Sequence, residues 1–422
     1  MKKVLVSEHF LILTVAFFLY IIVALFYKSP VDLQNFNVPW ARQIIEHHFN
    51  LYDRSIVPKV DYPPVMPTLY ALFYKVFVES HVFAFLNFDN LTNLALKMPS
   101  IFVTFAFAIW GYLKKVVSPG FMLYGILLNP VFIVNTTMWG ESDIVLVVLA
   151  FLAFYYLNQK KNPILGSFWM GIAVVTKLQA VYLLPIFLVA LLVIEWRDIR
   201  KLFLSLLTGA LTILTIWMPM IIMNDVTLPV RTYLSGAGSY TQLALSSFNI
   251  WQIVSLKVPN LTTDTAIFRS FTISDLNYLI LGALVIISSV LLIRKKNINL
   301  VGFGYLGAVF VLTTSQHERY AIPSFAFIIL LVAAKYSFSI FEKISLLILI
   351  FLMFLNETVV LGRFGGVLPT IPNRMLMFFS TAFIIFYSAW IFATILKNSK
   401  LQSGRLTALT KNIQIVFMTG SV

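Results

Sequence analysis

Apolar runs of about twenty residues recur from one end of this chain to the other, the length at which a helix crosses a bilayer. No single core could hide that much apolar surface from water. Of the 422 residues 59% are hydrophobic and 11% charged, against roughly 25% charged in a soluble domain. The fold class expected is all-α, a polytopic transmembrane helical protein. Nowhere does the composition switch to a soluble pattern, so residues 1–396 form one transmembrane domain, followed by a basic tail over 397–422. The chain has no cysteine, which excludes disulfides, thiol nucleophiles and thiolate metal sites.

Candidate spans fall near 10–27, 94–113, 117–135, 139–157, 163–177, 180–195, 202–223, 275–293, 298–315, 320–334, 341–361 and 375–396, about a dozen. Lys2 and Lys3 precede the first run, and no small-residue cleavage site follows it, as in a retained helix with its N-terminus inside. Lys114-Lys115, Lys160-Lys161, Arg197/Arg200/Lys201 and Arg294-Lys295-Lys296 then fall on that same cytoplasmic side. This topology places 18 Lys and Arg with 4 Asp and Glu inside, and 13 of each kind outside. The whole charge excess of +14 is thus cytoplasmic, as lipid-embedded proteins require, and calls for no nucleic-acid partner.

The outer loops are long and the inner ones short. Within the first outer loop, residues 64–78 carry Leu69, Leu72, Phe73, Val76 and Phe77 at helical spacing, with Tyr70, Tyr74, Lys75 and Glu79 opposite. That pattern reads as an external interfacial helix rather than a span. Residues 37–49 begin with a capping Asn37 and a Pro39 suited to a first turn, and place Trp40, Ile44 and Ile45 on one face. A second outer loop, 224–274, holds Ser235, Gly236, Gly238 and Ser239; the stretch is expected to be a flexible loop rather than a phosphate-binding one, since no strand precedes it. There is no convincing internal repeat or inverted pair of broken helices, which disfavours a transporter.

Charged groups at the ends of spans are functional suspects, since each costs about 2.5–3.5 kcal/mol at a helix centre on insertion scales. Four clusters fall on the outer side: Asp32 after the first span with Asp61 of DYPP; Glu141 and Asp143 of MWGESD; Lys177 and Gln179 of TKLQA; and His317, Glu318, Arg319 and Tyr320 of QHERY. Each has a plainer reading. Asp32 alone could be a solvated loop carboxylate, Trp139 and Tyr320 belt aromatics, and Lys177 a snorkelling cation. QHERY resists that treatment, because four consecutive polar or ionisable residues at the start of a hydrophobic helix are costly unless they face a cavity.

A lone carboxylate can take the proton from an attacking hydroxyl, and cations at the membrane surface can hold a phosphate. A sugar on a lipid phosphate fits such a set, because its leaving group is already acidic and departs without a general acid.

In their order, Asp32, DYPP, NPVFIVNTTMWGESD, TKLQA, SSFNIWQ (Ser246 to Gln252) and HERY resemble the GT-C superfamily of polyprenyl-phosphate-sugar-dependent glycosyltransferases. The chain is most similar to bacterial relatives of the GPI-anchor mannosyltransferases, over about residues 10–335. The resemblance implies a GT-C-like fold with a partly helical first outer loop and an inverting transfer of a hexose, by analogy mannose, from a polyprenyl phosphate to a hydroxyl acceptor. It implies Asp32 as catalytic base, here without the adjacent second acid of some relatives, and Lys177 and Arg319 as contacts of the donor phosphate. Asp61 and Tyr62 would shape the pocket, while Glu141, Asp143, Gln179, His317, Glu318 and Tyr320 would bind sugar hydroxyls or orient the cations. Glu141 departs from the WGQ-x-D pattern of the superfamily. No cofactor is required; a divalent metal held by Asp32, Glu141 or His317 is conceivable.

The partners implied are the lipid-linked sugar, a glycan, glycolipid or protein acceptor, and membrane lipids. The location implied is a bacterial plasma membrane with the active site extracytoplasmic. Two other classes share part of the pattern. A polysaccharide polymerase or ligase using polyprenyl-diphosphate donors would lean on Arg and His pairs, and a lipid or sugar transporter would place ionisable groups near the midplane.

Overall fold

A computed structural model describes residues 2–29, 32–80, 82–83, 85–238, 240–295, 297–365 and 371–394; the tail at 397–422 and the last residues of the 375–396 segment lie outside them. From the N-terminus, α1 (Lys2–Phe26) is followed by a π-helical turn at Leu33–Asn37, α2 (Val38–Glu46) and α3 (Val65–Tyr74). Next come α4 (Phe88–Leu113), a π-helical segment at Phe121–Leu127, α5 (Pro130–Ile133) with its π-helical continuation Val134–Trp139, α6 (Asp143–Phe154), α7 (Pro163–Val174), α8 (Ala180–Glu195) and α9 (Ile199–Met223). Then follow α10 (Leu228–Gly238), β1 (Ala244–Leu245), α11 (Ile250–Lys257) and the antiparallel hairpin of β2 (Ala266–Phe268) and β3 (Phe271–Thr272). The chain continues through α12 (Ile273–Lys295), α13 (Ile298–Leu312), β4 (Gln316–His317), which pairs in parallel with β1, α14 (Phe325–Ala333), α15 (Ile340–Gly365) and α16 (Asn373–Thr394).

Six helices among the described residues are long and apolar enough to cross a membrane, or seven if the pair bent by 47° at Phe121–Leu127 and Pro130–Trp139 counts as one span. This is fewer than the dozen expected. The other five expected segments are apolar helices of 10–17 residues. For two of them, α6 and α14, the shortness has a physical reason, since they form the middle of the bundle, whereas α8 exposes Val181 and Leu192 on one side. Every residue of α6 from Ile144 to Phe151 is buried, and so are the residues of α14 from Phe325 to Leu331. A helix apolar on all sides is stable only when protein sheathes it, and it need not match the thickness of the lipid. Of the long helices, α4 and α15 are mostly buried, while α1 exposes Phe10, Phe17 and Phe18 and α16 exposes Met375 and Phe378.

Successive core helices alternate in direction, so the connectors carrying Lys114, Lys115, Lys160, Lys161, Arg197 and Arg200 lie at one end of the bundle, and Asp32, Glu141, Lys177 and Arg319 at the other. At this second end α3 and the π-helical segment Lys75–Glu79 that continues it turn Leu72 and Val76 outward, 44% and 55% exposed, and bury Tyr70 and Tyr74. α2 buries Trp40 and Ile44 as its spacing predicts, but Asn37 is not its cap: the π-helical turn runs straight into α2, leaving Asn37 helical and without a side-chain capping bond.

The glycine-rich stretch is also different from the expected loop. Residues 235–238 form the last turn of α10, held where Tyr233 donates its hydroxyl to the Val174 carbonyl over 2.7 Å. Gly236 is there for close approach, because a Cβ would run into Leu178. Tertiary packing overrides the weak helix propensity of glycine. Ser239 lies outside the described residues.

Candidate functional site

The backbone delivers the ionisable residues from four directions. Asp32 stands just ahead of the π-helical turn at Leu33–Asn37. The end of α1 that leads to it is fastened by Lys97 of α4, whose buried ammonium donates to the carbonyls of Ala24 (3.3 Å) and Tyr27 (2.6 Å), groups a helix C-terminus leaves unpaired. Gly140, at φ +78°, turns the chain between the Val134–Trp139 segment and α6, so that Glu141 and Asp143 point toward Lys177 and Arg319. Lys177 lies in the tight turn between α7 and α8, and Arg319 between β4 and α14.

The left-handed turn makes Gly140 a specific test of this framework. A Cβ there would lie 2.9 Å from Leu33 Cδ1 and 3.3 Å from Lys97 Cγ, both buried. Gly140→Ala is therefore expected to cost about 1–2 kcal/mol in backbone strain, before any shift of Leu33 beside Asp32. Thermal unfolding in detergent should show the loss; an unchanged midpoint would mean that the turn has another conformation.

Arg319 is the hub. Its Nη1 lies 3.5 Å from Asp32 Oδ2, its Nη2 3.3 Å from Glu141 Oε1 and its Nε 3.8 Å from Asp143 Oδ2, while Nη1 also pairs with Glu318. The guanidinium carbon sits 5.5 Å over the Trp139 ring, so that aromatic serves the cation rather than an interface belt. Lys177 reaches Asp143 Oδ1 at 2.7 Å and Glu141 Oε2 at 3.2 Å with none of its side chain exposed; it does not snorkel. Asn135 donates from Nδ2 to Asp143 Oδ2 (3.0 Å) and to Glu357 Oε1 of α15 (2.7 Å).

Four carboxylates, Asp32, Glu141, Asp143 and Glu318, thus surround two permanent cations. The surplus of negative charge shows in the proton affinities. Burial pushes the Asp32 carboxyl up to about 7; Arg319 pulls it down, and Glu141 and Glu318 push it up again. Burial would likewise raise Glu141, but Arg319 and Lys177 outweigh it and, with a hydrogen bond from Asp32, hold its carboxyl down at about 2. Of the two carboxyls, Asp32 therefore has the higher affinity for a proton.

Asp32 is also the carboxylate of the cluster most open to the outside, with 22% of its side chain exposed against 6% for Glu141 and none for Asp143. It faces a cavity whose wall includes Trp40, Asp61, Tyr62, Gln179, Arg319 and Tyr320. His317, on the same wall, lies edge-on to Tyr240 at 5.0 Å and near Tyr320 at 4.9 Å. Gln179 is buried, yet among the described residues neither atom of its amide has a hydrogen-bond partner. A buried amide left unpaired on a cavity wall can both donate to and accept from whatever occupies the cavity. Among the described residues no three His, Asp or Glu side chains are arranged to hold a metal ion.

The structure thus brings together every residue singled out from the sequence. Asp32, Asp61, Tyr62, Glu141, Gln179, His317, Arg319 and Tyr320 line the cavity, and Asp143, Lys177 and Glu318 stand behind them. Lys97, Asn135 and Glu357 were missed. The signal was present in Lys97 and Glu357, ionisable residues inside or at the end of apolar runs.

No protein-family model matches the chain. Over 59 residues it is 42% identical to GPI mannosyltransferase 1 of Debaryomyces hansenii. That stretch is 14% of this chain and 14% of the relative's own length, so the likeness spans about one seventh of either protein.

Proposed function

We propose that the protein is a membrane glycosyltransferase of GT-C type, moving a hexose from a polyprenyl phosphate to a hydroxyl acceptor at the end of the bundle where Asp32 opens on the cavity. The sugar proposed is mannose, after the local likeness to a GPI mannosyltransferase. The five shorter apolar helices complete a dozen passes through the membrane, with the site on the extracytoplasmic side. The observation that carries the reading is the pairing, on one cavity wall, of a partly open carboxylate with a guanidinium 3.5 Å away.

In the proposed step the Asp32 carboxylate takes the proton of the acceptor hydroxyl. The acceptor oxygen forms a bond to the anomeric carbon while the bond from that carbon to the phosphate oxygen breaks, and the polyprenyl phosphate leaves with the electron pair. Attack from the face opposite the leaving group inverts the anomeric centre. Arg319, on the wall, meets the extra negative charge that builds on the departing phosphate. The carboxylate surplus around it has its own use, since the anomeric carbon becomes positive as the old bond lengthens. Gln179, His317, Asp61 and Tyr62 are placed to take sugar hydroxyls. Lys177, sealed behind Glu141, acts by holding Glu141 and Asp143 in place.

The first experiment is to supply membranes containing the protein with polyprenyl-phosphate-[3H]mannose and to follow label into lipid, polymer and protein fractions. Label in one fraction fixes the reaction class and the acceptor. No label in any fraction, with protein present and donor intact, would sink the mannose donor and turn attention to other sugars and to diphosphate donors.

If Asp32 is the base, its protonation sets the pH profile. A carboxyl near 7 is mostly protonated and idle below that pH and ionised above it, so transfer should rise with pH through about 7 and then level off. Glu141→Gln removes the like charge and the acceptor of the Asp32 hydrogen bond. The inflection should then move acidward by about one unit, the scale of a like-charge contact. A profile unchanged in Glu141→Gln would separate the titrating group from this pair.

A further inference from the structure

A second cavity, of about 190 Å³, lies at the same end of the bundle between α11, the end of α15 and the start of α16. Its polar lining is Ser246, Gln252, Arg363 and Asn373. Two of these, Ser246 and Gln252, bound the SSFNIWQ stretch, which the transfer step does not use. Gln252 is 6% exposed, and among the described residues its Oε1 has no hydrogen-bond partner. It is not a loose side chain, because α11 is pinned: Asn249 accepts from the Gln252 backbone N–H (2.9 Å) and donates to the carbonyls of Phe310 (3.2 Å) and Thr313 (3.3 Å). Asn356 of α15 holds the other side, donating to the Ser246 carbonyl (2.6 Å) and accepting from the Phe248 N–H (2.8 Å). A buried amide oxygen that borders a cavity from a pinned helix, its hydrogen bond unmet, is open to a donor in that cavity.

The charge of that ligand follows from Arg363, which ends the long apolar stretch of α15 and has no carboxylate within ion-pair distance among the described residues. It contrasts with Arg319, committed to four carboxylates. Asn373 is the first residue of the 22-residue helix α16; the N–H groups of Met375 and Leu376 bond the Pro372 carbonyl, and those of Asn373 and Arg374 have no backbone partner among the described residues. A free guanidinium, a helix N-terminus and two carboxamides together match a phosphate and a neighbouring hydroxyl. Below Asn373 the same helix exposes Met375 and Phe378, so the cavity stands where an apolar surface ends and lipid headgroups begin. Ser246 also bridges to His317 on the first cavity's wall, so the two cavities are separated by the thickness of one strand pair.

We propose that this cavity binds a phosphate group carried by a membrane lipid, with Arg363 and the start of α16 on the phosphate and Gln252 on a hydroxyl beside it. The inference does not depend on the transferase reading, and its test uses binding rather than activity.

The full-length protein in detergent micelles is titrated with dioleoyl phosphatidic acid, with dioleoylglycerol as the phosphate-free control, and bound lipid is counted by native mass spectrometry. The wild type should retain phosphatidic acid over dioleoylglycerol, and Arg363→Gln and Gln252→Leu should each weaken retention about tenfold, the effect of one charge-assisted or buried hydrogen bond. Equal retention by the wild type and both variants, each checked for an unchanged unfolding midpoint, would overturn the site. Displacement of the lipid by inorganic phosphate at matching concentration would overturn the lipid as the source and assign the cavity to free phosphate.

Discussion

Asp32→Asn should reduce sugar transfer about 10³-fold, within the 10²–10⁴ range that a positioned general base contributes, and leave folding and donor binding close to those of the wild type. The geometry makes this substitution unusually clean. The Asp32 carboxyl titrates near 7, so a neutral amide of the same shape reproduces a charge state that the cluster already visits. What the amide cannot do is accept a proton from the acceptor. Asp32→Ala would be less informative, since it opens a hole beside Arg319 and the buried Leu33. The measurement is transfer of label under saturating donor, beside a thermal unfolding midpoint and donor retention in detergent. Transfer within tenfold of the wild type would remove Asp32 from the base role; loss of the unfolding transition would recast it as a structural residue.

What the sequence disclosed and what it withheld follow from the same energetics. Ions at the ends of apolar runs are expensive wherever they are, so Asp32, Glu141, Asp143, Lys177 and Arg319 stood out singly, and a common end for all of them followed from helices that alternate in direction. Their partners did not stand out. Nothing in TKLQA says that Lys177 reaches back to Glu141 and Asp143, because that contact depends on how the turn between α7 and α8 docks beside α6. The same holds for Arg319, which the resemblance assigns to a phosphate and which the structure also ties to four carboxylates.

Hydropathy does not tell a lipid-facing helix from a sheathed one, because it measures apolarity and not surroundings. α6 and α14 are as apolar as α1, but protein rather than lipid covers them. Composition misled in the opposite direction at Ser235 to Gly238, where glycines that look like a loop let α10 close against Leu178. Asn135 and Glu357, 222 positions apart, meet only in three dimensions.

Removing the Arg319 charge should have the largest effect on stability of any single change at the site. Breaking one partner out of a buried ionic network costs about 3–5 kcal/mol, because the charges left behind stay buried. Here four carboxylates would be stranded with Lys177, which touches only Glu141 and Asp143. Asp32 and Glu318 would lose the guanidinium, with only the His317 ring 3.7 Å from Glu318 in its place. Arg319→Ala is therefore expected to lower the unfolding midpoint sharply, and Arg319→Lys less, since an ammonium keeps the charge but cannot present a planar fork to several carboxylates at once. Glu318→Gln supplies the decisive comparison. Alone it should cost a smaller amount, but combined with Arg319→Ala it removes a stranded charge, so the double variant should be more stable than the sum of the single losses predicts. Strict additivity in thermal unfolding of the four proteins would mean that Arg319 and Glu318 do not share one network. A positive coupling would place the stability of the cluster and the charge at the cavity wall in the same residue, held by the carboxylates that surround it.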